Sequence, residues 1–224
     1  MCGRFVQLPI HAGAPLPWPD LRAGFALLPA RYNLAPGQSA AVLVQDGDAP
    51  ALKNMHWGLM PFWAKELALG QHTFNARLET LDDKPAFRAA FKARHAAVPM
   101  AGYYEWRSTP EGKQPYYFHP ERAGDTLWVA ALWEPKHPLL EDGREGSFTL
   151  ITQAADGLPA EVHPRMPVFL EPRDVAKWLT LAPGPSMPFL LTRALPALKM
   201  HAVAKRVNAG REDDAALIEP IAPP

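Results

Sequence analysis

The chain has 224 residues, 48% of them hydrophobic, with seven Trp and ten Phe, which is enough for a substantial core and excludes a disordered protein. Basic and acidic residues number 23 each, so the formal charge is zero and any nucleic-acid site must be a local patch. The single cysteine excludes an internal disulfide framework and a cysteine-rich zinc site, and the eight His lack partners at ligand spacing, so no metal or cofactor is expected.

The N-terminus, MCGRFVQLPIHAG, lacks the basic start and apolar run of a signal peptide, and no stretch of about 18 apolar residues occurs. A soluble, cytoplasmic protein that spans no membrane is expected. In chain order, strand-like runs fall at Cys2–Gln7, Ala41–Gln45, Leu52–Trp57, Ala96–Tyr104, Gln114–Phe118, Thr126–Trp133, Ser147–Thr152 and His201–Val207. Two helices are predicted, Asp83–Arg94 and Pro172–Leu179, each with a Pro in its first turn and an apolar stripe. Ala182–Pro196 reads as a Pro-rich loop, and the last few residues are expected to fray. With 26 Pro, few long helices survive, and the pattern is that of one α+β domain over residues 1–224, mostly antiparallel sheet.

The only cysteine, Cys2, lies directly behind Met1. Removal of Met1 would leave a thiol and an α-amine on one residue, a 1,2-aminothiol. An aldehyde condenses with the amine to an imine, and the thiol then adds to the same carbon and closes a thiazolidine. The second step gains the high effective molarity of an intramolecular attack.

Four motifs are polar, aromatic and Gly/Pro-flanked at once: Cys2-Gly3-Arg4-Phe5, Asn75-Ala76-Arg77-Leu78-Glu79, Gly102-Tyr103-Tyr104-Glu105-Trp106-Arg107 and His163-Pro164-Arg165-Met166-Pro167. In each, a candidate reactive residue precedes an arginine by two positions: Cys2/Arg4, Asn75/Arg77, Glu105/Arg107 and His163/Arg165. In extended backbone such pairs share a side, placing a guanidinium, well shaped for phosphate, beside a reactive group. Read singly, each arginine has the alternative of a solvated or ion-paired strand residue, Asn75 that of a turn-capping amide and His163 that of a structural histidine before proline.

Taken together, the four motifs resemble those of the SOS-response-associated peptidase family of abasic-site-processing proteins. Further landmarks are Arg31-Tyr32-Asn33-Leu34-Ala35-Pro36, Trp57-Gly58-Leu59-Met60-Pro61-Phe62-Trp63 and Lys205-Arg206-Val207-Asn208, so the resemblance spans residues 2 to about 220. One departure is Ala101, where the family often carries Asp. The resemblance implies a barrel-like sheet core with a few flanking helices, and a protein that captures abasic sites in single-stranded DNA as a thiazolidine on Cys2. It also implies a monomer that associates with the nucleoid when bound to DNA.

On that reading Glu105 and His163 handle protons on the sugar and carbinolamine, and Asn75 holds the opened sugar or the Cys2 amine. Burial of Glu105 among aromatics would raise its pKa and suit it to donate. Arg4, Arg77 and Arg165 would hold phosphates, Arg4 also favouring the Cys2 thiolate, while Trp57 and Trp106 would stack bases. Two other classes remain: an N-terminal-cysteine amidohydrolase of the glutamine-amidotransferase type, and a non-covalent single-stranded-DNA binding module. The family's peptidase name adds self-removal of residues ahead of Cys2.

Overall fold

In the computed structural model, which describes residues 2–11, 13–182 and 184–221, strand β1 (Arg4–Gln7) opens the chain. The short helix α1 (Arg22–Ala26) leads to β2 (Arg31–Leu34) and then to the hairpin of β3 (Ser39–Asp46) and β4 (Ala49–Trp57). Asp46 pairs with Ala49 across a two-residue loop whose first residue, Gly47, has φ +61°, the left-handed conformation such a turn demands. Next come β5 (Asn75–Arg77), α2 (Arg88–Ala93), β6 (His95–Met100), β7 (Gly102–Thr109), β8 (Gly112–Pro120), β9 (Leu127–Pro135) and β10 (Gly146–Ala154). The last part holds the single turn α3 (Gly157–Ala160), β11 (Arg165–Pro167), β12 (Phe169–Leu170), α4 (Pro172–Thr180), α5 (Ser186–Leu191) and β13 (Leu198–Ala202).

The strands form two sheets. One runs β13–β8–β7–β1–β2, antiparallel throughout. In the other, β10–β4–β3–β6–β9 closes on itself because β9 also pairs with β10, giving the barrel-like ring that the family resemblance implies. Pairing is antiparallel except where β10 runs parallel to β4 and to β5. The α+β class with mostly antiparallel sheet is therefore what the molecule has.

Alternation along the ring strands divides the core. Val42, Val44, Ala96, Val98, Val129 and Leu150 pack with Phe5, Tyr103 and Phe118 of the other sheet, in the cluster that also encloses Cys2. Leu43, Ala97, Ala130, Leu132 and Ile151 face the helices, meeting Phe25, Phe91 and Trp178. Helix α4 follows its stripe: Pro172 sits in the first turn, Val175, Trp178 and Leu179 are buried, and the Trp178 indole donates to the Ala96 carbonyl at 2.8 Å.

Four expectations are corrected. The run Ala96–Tyr104 is two strands in different sheets, broken at Ala101. Gly102 then lies so close to β8 that a Cβ there would sit 2.4 Å from the Phe118 carbonyl oxygen. The expected strand His201–Val207 ends at Ala202 and gives way to a 3-10 turn at Lys205–Asn208. Helix α2 begins at Arg88 rather than Asp83. The loop Ala182–Pro196 contains α5, because Phe189 stacks on Trp178 at 6.1 Å and that burial outweighs the local Pro content. The expected fraying concerns mainly Ala222–Pro224, outside the described residues. No helix among the described residues is long and apolar enough to cross a membrane.

Candidate functional site

Where the five-stranded sheet meets the rim of the ring, β10 aligns two motifs, one on each side of its second half. Parallel pairing sets Leu150 against Asn75 and Thr152 against Arg77, while antiparallel pairing sets Ala154 against Arg165. Thr152 ties the two, its hydroxyl donating to the Ala76 carbonyl at 3.3 Å and its carbonyl accepting from Arg165 at 2.6 Å. From the other sheet, β1 delivers Cys2 just ahead of its first residue, and β7 delivers Glu105. Phe5, paired with Tyr103 and packed edge-on to Trp57 at 4.9 Å, anchors β1 and hence the cysteine.

The site residues themselves meet across this junction. Asn75 Nδ2 donates to the Cys2 carbonyl at 2.7 Å, and His163 Nδ1 lies 3.9 Å from Glu105 Oε1. The Arg165 amide donates to His163 Nδ1 at 3.0 Å, which fixes the ring beside the carboxyl. Cys2 is fully buried and Glu105 is 3% exposed. Burial, and secondarily the charge of Glu105, push the Cys2 thiol well above its ordinary range, so it rests protonated. Burial likewise raises the Glu105 carboxyl, opposed in part by His163, which favours its protonated form. Cys2, Asn75, Glu105 and His163, remote in sequence, thus meet at one place.

The arginines divide. Arg77 is exposed at the end of β5, facing solvent. Arg165 is engaged by Glu79 in a two-pronged pair at 2.6 and 3.0 Å, which holds the Glu79 carboxyl below its usual range. Arg4 turns away from the thiol, donating to Asn33 Oδ1 at 2.8 Å and to the Val207 carbonyl at 3.1 Å, so it fastens the C-terminal segment. The expected ease of thiolate formation at Cys2 is accordingly reversed. Arg107 packs over the Tyr116 ring at 4.6 Å.

Trp57 is not a platform for bases: it is 1% exposed, stacked on Phe148, with its indole donating to the Phe74 carbonyl at 2.8 Å. Trp106 is half-buried on the face of β7 opposite Glu105, its indole donating to Asn208 Oδ1 at 2.8 Å. The exposed aromatics lie instead on the connection from β4 to β5, Phe62 at 82% and Trp63 at 44%. A run of apolar residues flanked by Pro and too irregular for a strand was the available signal for them.

Sequence reasoning also missed Tyr103. It stands two residues before Glu105 on β7, on the same face, fully buried between Phe118 and Phe169 at 4.9 and 6.0 Å. Its hydroxyl and Asn75 Oδ1 are buried without a hydrogen-bonding partner among the described residues. Asn33, at the centre of the Arg31–Pro36 motif, is structural: its amide nitrogen donates to the Val207, Ala209 and Glu212 carbonyls.

Fold and site together define an α+β protein with a buried cysteine near the start of the chain and Asn75, Glu105 and His163 gathered around it. The chain belongs to the SOS response associated peptidase (SRAP) family, whose model matches residues 1–210. It is 31% identical over 194 residues to the abasic site processing protein YoqW of Bacillus subtilis, covering 84% of this chain and 85% of that one. It is 26% identical over 229 residues to the abasic site processing protein YedK of Escherichia coli, covering 99% and 100%. Among solved structures it is similar to a phage-related protein of Bordetella bronchiseptica, with TM-score 0.70, 28% identity, and 91% and 95% of the two chains covered.

Proposed function

We propose that this protein processes abasic sites in single-stranded DNA by capturing the sugar aldehyde on Cys2 once Met1 has been removed, within a response to DNA damage. The observation that carries the reading is the enclosure of Cys2 beside a Glu105 carboxyl whose burial favours its protonated form. The names of the relatives, abasic site processing proteins, support the substrate.

An abasic deoxyribose is mostly a closed hemiacetal, so capture begins with ring opening. Glu105 donates its proton to the ring oxygen as His163 takes the proton of the anomeric O–H, freeing the aldehyde. The Cys2 amine adds to C1′, the carbinolamine loses water with His163 moving the proton, and an iminium results. The thiol then adds to the same carbon and closes the thiazolidine. Asn75, fixed on the Cys2 carbonyl, orients the residue, and its unpartnered Oδ1 is available to the opened sugar. Arg77 holds a flanking phosphate, and Arg165 does so by exchanging Glu79 for it. Phe62, Trp63 and the half-exposed Trp106 are the surfaces on which unstacked bases rest, which favours single strands over duplex.

The test is a denaturing gel of the protein, beginning at Cys2, with an abasic single-stranded oligonucleotide. A band surviving heat is expected with the native sequence and absent with Cys2→Ala or with an untrimmable residue ahead of Cys2. A stable adduct formed normally with a blocked amine refutes the thiazolidine. A glutaminase assay tests the amidohydrolase alternative, for which no arrangement in the site speaks.

A further inference from the structure

One motif that the capture reaction leaves unused, Lys205-Arg206-Val207-Asn208, is tied to the start of the chain. Val207 is fully buried, and its carbonyl accepts from Arg4 Nη1 at 3.1 Å and from Asn33 Nδ2 at 3.2 Å. Asn33 Nδ2 also donates to the Ala209 carbonyl at 3.3 Å, so the backbone is gripped on both sides of Asn208. Asn208 itself is exposed, and its Oδ1 accepts from the Trp106 indole at 2.8 Å. An indole N–H only donates, so the amide oxygen is the atom turned toward the ring. Trp106 is half-buried against the cluster that contains Tyr104, Val203 and Val207, so packing grips only part of it. The ring also stands beside the chemistry. It follows Glu105 on β7, and because Arg4 pairs antiparallel with Tyr104, the chain start two residues ahead of Arg4 comes level with Trp106.

We propose that Asn208 is a positioning residue that fixes the plane of Trp106, so that a base adjoining the captured sugar meets a ring already set for stacking. This inference rests on the capture reaction proposed above. A base that has left its stack is stabilised on an aromatic ring whatever its identity. A tryptophan free to turn would lose that freedom on binding, and the loss would subtract from affinity. The bond to Asn208 removes the freedom in the unbound protein. An exposed hydrogen bond adds little to folding, because water replaces either partner, so holding the ring is the larger effect. Asn208 can hold it because Asn33 and Arg4 fix the turn from which it projects. Arg4 is also two residues from Cys2, so the stacking ring and the reactive cysteine are registered against one anchor.

The experiment compares the native sequence with Asn208→Ala, both beginning at Cys2, in single-turnover capture with protein in excess over an abasic single-stranded oligonucleotide. Asn208→Ala should raise the half-saturating protein concentration by about 3- to 10-fold, the size of one net hydrogen bond, and leave the limiting rate unchanged. A second oligonucleotide carries base-free tetrahydrofuran spacers on both sides of the abasic site. The native protein should bind it more weakly, and on it Asn208→Ala should match the native protein, because no base is there to stack. Asn208→Asp keeps an oxygen for the indole and should retain the native dependence on neighbouring bases. Trp106→Phe keeps a ring without the N–H, and adding Asn208→Ala to it should cost nothing further. Thermal midpoints should be unchanged, since Asn208 is exposed. An equal loss on the two oligonucleotides, no loss on either, or a lowered limiting rate would each overturn the assignment. Absence of any adduct with the native sequence instead sinks the capture reaction itself.

Discussion

Replacing Glu105 with Gln removes a transferable proton while keeping nearly the same volume in a site where the side chain is 3% exposed. The carboxyl is raised by burial, so protonated acid persists to higher pH than for an ordinary glutamate, whose pKa is about 4.3. The amide cannot supply that proton to the sugar ring. A general acid contributes about 10²- to 10⁴-fold to a rate, or roughly 3 to 5 kcal/mol of barrier. Capture of closed-ring abasic DNA, followed as borohydride-trapped adduct in single turnover, should slow by that factor with little change in affinity. An open-chain aldehyde oligonucleotide bypasses ring opening and should restore capture. In the native protein capture should decline as pH rises through the raised Glu105 pKa, and this limb should be absent in Glu105→Gln. Stability moves in the same sense. A group whose pKa is raised on folding contributes fully below its unfolded value and loses that contribution as pH rises through the folded one. Glu105→Gln should therefore be at least as stable as the native protein at neutral pH. Capture of closed-ring DNA at the native rate would return Glu105 to a structural carboxylate.

Cys2→Ala should abolish the heat-stable adduct and, by emptying a fully buried position of one sulfur, lower stability by about 1 kcal/mol, read from denaturant unfolding. Arg77→Ala should reduce the salt slope of single-strand binding by about 0.7 in a fluorescence-anisotropy titration, and an unchanged slope would take Arg77 off the phosphate path. Glu79→Gln frees Arg165 and should tighten the same binding, whereas unaltered affinity would show that Arg165 never exchanges its carboxylate for phosphate. His56, pushed down to about 4 by burial and by Arg144, lends stability that is complete above pH 6.5 and lost as pH falls through 4. His56→Gln should flatten that part of the stability curve in urea melts at successive pH values.

The residues of the candidate site were legible because each stood in a short polar motif interrupting apolar surroundings, and the structure gathers Cys2, Asn75, Glu105 and His163 where the strands converge. Strand positions followed from β-branched and aromatic runs. Side-chain direction was the harder matter. The rule that i and i+2 share a side holds within a strand, as Tyr103 and Glu105 show, but Cys2 lies ahead of β1 and Arg4 is drawn off by Asn33 and Val207. Trp57 and Phe62 belong to one aromatic stretch, yet the first closes the core and the second is bare, because the chain leaves β4 between them. Local composition carries no information about where a strand stops. The short β5 and β11 were invisible as strands for a related reason: three residues give no period, and β10 imposes their conformation from outside.

That dependence on β10 reaches into how the molecule breathes. Its first half is hydrogen-bonded to β4 and β9 and its second to β5 and β11, so it has partners on both sides along most of its length. Such a strand cannot loosen by fraying, and its amides should exchange with deuterium only when the whole ring opens. Asn75 and Arg165 are held to that strand, while Cys2 and Glu105 arrive on the neighbouring sheet. One half of the site therefore has the slowest clock in the protein, and whatever motion admits a nucleotide falls to the other half, along β1 and the connection bearing Phe62 and Trp63.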